Sequence, residues 1–194
     1  KKSLLNFNLD HDIREIAPFP SWLNGTHYKP KFTLDLLLQY RKNLVFLDID
    51  TEIWKMPELL FGEHDFSIYN WYADKKHHLE GKIPYDINSK KLLCSGGVMK
   101  FAYTAPSINL LINWIRLLPK NPTMIDDEVL DLAFNNSNLH WNVIIFFRRL
   151  LLQLTAIVIN HLPETLAYVH ISINILYLIL IIPSLPYRDP KDKD

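Results

Sequence analysis

Two carboxylates one residue apart, Asp48-Ile49-Asp50, directly follow the apolar run Leu44-Val45-Phe46-Leu47. Side chains alternate across a strand, so this spacing predicts Asp48 and Asp50 on one face and Ile49 in the opposite layer. The carboxyl end of a buried strand is where open α/β sheets bind ligands. A pair of carboxylates there makes a hard, oxygen-rich site for Mg²⁺ or Mn²⁺, with phosphate oxygens completing the octahedron. The competing reading of so short a motif is a solvated acidic turn after a strand.

Two further groups of residues carry chemical potential. Ser95-Gly96-Gly97 places adjacent glycines within an otherwise strand-like stretch, Leu92 to Phe101. Paired glycines weaken a strand and expose its backbone, which suits close approach by a ligand or, equally, a bulge or tight turn. Asp126-Asp127-Glu128 opens a helical pattern, and acidic side chains at a helix start cap amides and favour the dipole whether or not they react.

The elements that must hold these residues alternate between strand and helix. Residues 1–28 read as an irregular, strand-poor lead-in broken by Pro18, Pro20 and Asn24-Gly25. A helix is expected from near Pro30 to before Asn43, with Phe32, Leu36, Leu37 and Tyr40 at helical spacing. The run Leu44–Leu47 then reads as a buried strand, residues 65–72 as a second strand, 74–88 as loop and 92–101 as a third strand. Thr104 and Pro106 start a helix with an expected apolar stripe of Ile108, Leu111, Ile112 and Ile115. Another helix begins near Asp126, with Val129, Leu132 and Ala133 facing the core. The alternation predicts the α/β class.

Composition narrows the partners. The 194 residues carry 21 Lys+Arg against 21 Asp+Glu, and this balance offers no basic excess for binding nucleic acid. The single cysteine, Cys94, excludes an internal disulfide and a Cys-rich zinc site, so a metal must rest on oxygen or imidazole ligands. Neither a dinucleotide-binding G-x-G-x-x-G nor a P-loop is present. The lone thiol favours a reducing compartment, and the N-terminal stretch lacks an export-signal core, so a cytoplasmic location is expected. Charge is uneven, however: Val143–Pro186 carries only Arg148, Arg149 and Glu164. Three parts are therefore expected: residues 1–142 as the α/β core, 143–186 as an apolar segment that is packed or membrane-associated, and 187–194 as a charged tail. Within the apolar segment, Leu166–Leu185 runs twenty residues without an acidic, Lys or Arg side chain, near the length that spans a bilayer.

In order, the chain shows Thr26, Tyr28, Lys29-Pro30-Lys31, then Asn43 to Asp50, then Trp54 to Leu60 with Pro57. These are followed by Ser95-Gly96-Gly97-Val98-Met99-Lys100-Phe101, a helix containing Trp114, and Asp126-Asp127 with Leu130. Over about residues 22–136 this series resembles the nucleotide-diphospho-sugar transferases of the GT-A fold, whose segments read K-P, D-x-D, P-x-L, S-G-x-x-x-F and D-Q/D-x-x-L. The resemblance implies a GT-A-like mixed sheet flanked by helices. It further implies a glycosyltransferase taking a UDP- or GDP-sugar donor and a glycan, lipid or protein acceptor.

Under that resemblance Asp48 and Asp50 hold Mn²⁺ or Mg²⁺, which neutralises the departing diphosphate. Lys29 and Lys31 contact phosphates, and Ser95, Gly96 and Gly97 line the sugar pocket. Asp126 and Asp127 approach donor sugar or acceptor hydroxyl, as base in an inverting reaction or as positioning group in a retaining one. The family's later histidine ligand is best matched by His161, with His140 and His170 as rivals. Members of the fold usually open with a β-α-β unit that grips the nucleoside; nothing before residue 22 reads as one, so an incomplete core is expected. Two alternatives follow from the same residues. A haloacid-dehalogenase-like phosphohydrolase also sets D-x-D after an apolar strand, although Thr51 and Glu52 do not match its D-x-D-x-T. A chain without the nucleoside-binding unit would be an inactive binding or membrane-associated remnant.

Overall fold

The structure, a computed structural model, describes residues 2–71, 92–137, 143–146 and 176–182. Its strands are β1 (His11–Glu15), β2 (Asn43–Asp48), β3 (Phe66–Asn70), β4 (Cys94–Phe101), β5 (Val143–Phe146) and β6 (Leu176–Ile182). Its α-helices are α1 (Lys2–Asn6), α2 (Trp22–Tyr40), α3 (Ala105–Leu117) and α4 (Asp126–Asn135). The strands form one mixed six-stranded sheet in the order β1-β6-β2-β4-β3-β5. All neighbours are antiparallel except β3 and β5, which are parallel. The α/β class is thus present.

β2 lies inside the sheet, between β6 and β4, and its unbroken apolar run serves two cores. Leu44 and Phe46 face α2, α3 and α4 together with Phe66, Ile68, Met99 and Phe101. Val45 and Leu47 face the other way, onto Leu4 of α1, Ile53, Leu60 and Tyr69. A strand covered on both faces has no use for polar alternation, although here its neighbours are antiparallel rather than parallel. By parity Asp48 continues the Leu44–Phe46 side and enters the helical layer.

Several elements differ from the sequence-based expectation. The helix does not start near Pro30. It starts at Trp22, because the Ser21 hydroxyl accepts the Asn24 N–H at 3.1 Å as an N-cap, and Pro30 lies within α2. Pro30 has no N–H to bond the Thr26 carbonyl, a cost that the burial of Phe32, Leu36 and Leu37 on the same helix outweighs. The chain leaves α2 through Arg41 at φ 51°, whose N–H returns to Leu37 O at 3.0 Å. The lead-in is not strand-poor either: β1 precedes α2, and β1, α2 and β2 make a β-α-β crossing whose two strands are both antiparallel to the intervening β6.

α3 starts where expected, after Thr104, with Pro106 in its first turn. Its buried face is Ser107, Leu110, Leu111 and Trp114, so the stripe predicted through Ile108, Ile112 and Ile115 is rotated around the helix and shares only Leu111. Trp114 draws the helix round, being fully buried and donating Nε1–H to Asp126 O at 3.0 Å. α4 buries Val129 and Ala133 as expected, with Leu130 in place of Leu132. Seven residues of the apolar segment form β6 inside the sheet. The expected loop 74–88 lies outside the described residues, and among the described residues no helix is long and apolar enough to cross a membrane.

Candidate functional site

At the carboxyl end of β2, segments far apart in sequence meet around one ammonium. Lys29 occupies the core-facing stripe of α2 between Thr26 and Thr33, and its side chain is only 9% exposed. Its Nζ lies 3.2 Å from Asp48 Oδ1 and 3.1 Å from Asp126 Oδ2, and 5.7 Å from the centroid of Phe46. The contact with Asp126 is an ion pair without the direction of a hydrogen bond, since Oδ2 is buried with no hydrogen-bond partner. Asp127 adds a third carboxylate within electrostatic reach of Lys29.

The titration of these groups follows from burial against charge. Burial lowers the ammonium's affinity for its proton, yet the facing Asp48, Asp126 and Asp127 reverse this and hold Lys29 above the ordinary lysine value. Burial lifts Asp48 above the ordinary carboxylate value, and Lys29 pulls it only part of the way back, against a small upward push from Asp50. Asp127 is pushed up to about 6 by burial and by the neighbouring Asp126 charge.

Gly96 on β4 makes room for Asp127 in this packing. A Cβ at Gly96 would stand 2.0 Å from Asp127 Oδ1, and one at Gly97 would stand 3.4 Å from Asp48 Oδ2. Gly96 also donates its N–H to Asp127 Oδ2 at 3.1 Å. Gly96 therefore leaves the room that the Asp127 carboxylate fills, while Asp48 lies at ordinary contact distance from the Gly97 position. The register also slips here: Ile68 pairs Met99 and Tyr69 pairs Ser95, so Gly96, Gly97 and Val98 bulge between them. The bulge is present, and the groups that come close to the glycines are the chain's own carboxylates.

Asp127 also faces an open cleft of about 340 Å³ whose lining includes Trp71, Cys94, Glu128 and Asp131. Asp131 lies one turn beyond Asp127 on α4, accepts the Cys94 N–H at 2.8 Å, and is pushed up to about 7, mainly by burial. The Cys94 thiol donates to Asp127 O at 3.4 Å, and burial pushes it well above the usual thiol value, so it is a packed and unreactive group.

Other sequence-predicted residues fall elsewhere. The strand ends at Asp48, and Thr51 N–H bonds Asp48 O at 2.9 Å, so Ile49 and Asp50 are the exposed corners of a turn. Ile49 is 51% exposed and does not enter the opposite layer. Lys29 is buried and paired with Asp48 and Asp126 of the chain itself. Lys31, about 200° around the helix from Lys29, is exposed and pairs with Asp35 at 2.8 Å. Asp126 is buried at 3% exposure and serves as partner to Lys29, while Asp127 reaches the cleft. Ser95 sits half-buried on β4, and His161, His140 and His170 lie outside the described residues.

Trp71 and Asp131 were missed in the sequence, where Glu128 reads only as part of the acidic helix start. For Asp131 the signal was its position four residues after Asp127, which puts both carboxylates on one helical face. For the buried role of Lys29 the signal was a lysine in line with Thr26, Phe32, Thr33 and Leu36.

Among the described residues no group of three or more His, Cys, Asp or Glu is gathered to hold a metal ion. Asp48, with 35% of its side chain exposed, and exposed Asp50 are two neighbouring oxygen donors. A hard divalent cation held there would need its remaining ligands from phosphate and water, and would share Asp48 with the Lys29 ammonium, 3.2 and 3.5 Å from its two oxygens. No protein-family model matches the chain, and no curated protein matches it.

Proposed function

We propose that the chain is a metal-dependent glycosyltransferase of GT-A-like architecture, moving a sugar from a nucleotide-diphosphate donor to an acceptor. The observation that carries the reading is the convergence of Lys29, Asp48, Gly96-Gly97 and Asp126-Asp127 at one end of β2, since these are the segments on which the resemblance rests.

In this reading Asp48 and Asp50 hold Mn²⁺ or Mg²⁺, which would neutralise charge on the departing diphosphate. Lys29 acts from behind: it fixes the Asp48 carboxylate and offsets one of the buried negative charges. Asp127 lies beside Asp48 across the two glycines, and with its value near 6 it can accept a proton from an acceptor hydroxyl at neutral pH. Asp126 keeps Lys29 in place and takes no part in the chemistry. Contact of the apolar segment with a membrane remains part of the proposal only as a route to a lipid-borne acceptor.

Calorimetric titration with UDP and with GDP, in the presence and absence of Mn²⁺, tests the reading. Metal-dependent binding that Asp48→Asn and Asp50→Asn each abolish is the expected result. A folded sample that binds neither nucleotide with Mn²⁺ refutes it.

A further inference from the structure

Asp48 already has a cation against it. The Lys29 ammonium lies 3.2 Å from Oδ1 and 3.5 Å from Oδ2, so it straddles the carboxylate instead of serving one oxygen. Asp126 Oδ2 holds the same nitrogen at 3.1 Å, and the Phe46 ring centroid lies 5.7 Å from it. With 9% of its side chain exposed, Lys29 is set within the fold and is not a surface lysine resting on a neighbour. The β4 backbone limits another side of Asp48, because a Cβ at Gly97 would stand 3.4 Å from Oδ2. What is left for a second cation is the 35% of the Asp48 side chain that faces water, with Asp50 exposed on the adjoining turn.

A hard divalent ion gives up hydration water reluctantly, and carboxylate charge is what compensates it. At Asp48 that charge is already offset. An ion on either oxygen also has the ammonium as its neighbour across the same carboxylate, where like charges repel through little intervening water. Lys29 steadies Asp48 as well. However, contacts of 3.2 and 3.5 Å are longer than the strong charge-assisted bonds of about 2.7–2.9 Å, so this steadying adds less to metal affinity than the repulsion subtracts. A diphosphate brings negative charge of its own and restores the balance that Lys29 has shifted.

We propose that Lys29 is a resident counter-ion of Asp48 that competes with the divalent cation, so that the free chain holds metal weakly and gains it together with a diphosphate. The proposal rests on the transferase reading for the diphosphate, whereas the competition itself is a property of Lys29 and Asp48.

Mn²⁺ binding to the full chain without nucleotide, read from the electron paramagnetic resonance signal of the free ion, tests it. Lys29→Met is expected to bind Mn²⁺ at least about tenfold more tightly than the wild type, and adding Asp48→Asn should abolish the gain. The double variant Lys29→Met/Asp126→Asn removes one charge of each sign and leaves the net charge unchanged, yet it too should bind more tightly. Lys42→Met, which removes an exposed charge at the other end of β2, should match the wild type. Circular dichroism identifies a variant that has failed to fold, and the double variant carries the test if Lys29→Met is lost. Mn²⁺ affinity no higher in the Lys29 variants than in the wild type overturns the proposal. An equal gain in Lys42→Met overturns it in favour of net charge, and silence of every variant overturns it outright. The UDP and Mn²⁺ titration is independent: tighter Mn²⁺ binding in the Lys29 variants without any nucleotide binding removes the transferase reading and leaves the competition, and metal-dependent nucleotide binding with unchanged Mn²⁺ affinity removes only the competition.

Discussion

Replacing Lys29 with Met keeps most of its length and removes the charge on which three carboxylates depend. The side chains of Lys29 and Asp126 are 9% and 4% exposed, so the pair is buried, whereas Asp48 at 35% retains water. Breaking a buried ion pair by deleting one partner costs about 3–5 kcal/mol, because the other charge stays buried and uncompensated. The share owed to Asp48 is discounted for its hydration, which places Lys29→Met at the lower end, about 3 kcal/mol. At about 2–4 °C per kcal/mol for a chain of this size, the midpoint of thermal unfolding falls by about 6–12 °C.

Adding Asp126→Asn to Lys29→Met removes the stranded charge and recovers at least half of that loss, so the two changes are strongly non-additive. Circular dichroism melts of the wild type, the two single variants and the double variant at pH 7.5 measure the coupling. The loss also shrinks on acidification, because protonated carboxylates no longer need the ammonium. A Lys29→Met protein within about 1 kcal/mol of wild type, or simple additivity with Asp126→Asn, refutes the buried-pair account.

Gly96→Ala puts a Cβ where Asp127 Oδ1 now lies, so the carboxylate must swing away and lose the Gly96 N–H; equilibrium unfolding should show a loss of about 1.5–3 kcal/mol, and Asp127→Ala in the same chain should make the glycine change nearly silent. Asp131 titrates higher in the folded chain, about 7, than its ordinary 3.8, so the folded state binds the extra proton and stability falls as pH rises from about 4 through 7. Asp131→Asn keeps an oxygen for the Cys94 N–H and should flatten that decline in melts from pH 4 to 8. Trp114→Phe loses the 3.0 Å bond to Asp126 O and leaves space at a fully buried position, and should cost about 1 kcal/mol or more in urea unfolding. If the phosphohydrolase alternative were right, Asp50→Asn would trap a phosphoryl group on Asp48; mass spectrometry after incubation with acetyl phosphate should find none.

Strand positions were legible where both faces of a segment are covered. Leu44–Leu47 reads as an inner strand because it has no polar alternation, whereas Phe66–Asn70 carries Ser67 and Asn70 and is buried on both faces only because β4 and β5 flank it and both layers cover it. The start of α2 was misjudged because Pro30 looks like a first-turn residue, whereas the cap at Ser21 decides, and a proline can be carried inside a helix that buries enough apolar surface. The rotation of α3 could not be read from its isoleucines: every face of that helix offers an apolar residue, and the buried Trp114 selects among them by its bond to α4.

At the site, sequence alone established the chemical inventory: an acidic pair after a buried strand, a glycine pair in the next inner strand, an acidic helix start, and one cysteine. Local rules of alternation and capping fix such features within a few residues of one another. Tertiary structure decided the assignments. Lys29 is turned inward because α2 packs across the end of β2, Asp50 is exposed because the strand stops at Asp48, and Asp127 rather than Asp126 reaches the cleft because Trp114 and Lys29 hold Asp126 inside. Charge placement of this kind depends on which helices lie over which strand end, and residues 97 apart in sequence, such as Lys29 and Asp126, carry no local signal of their contact.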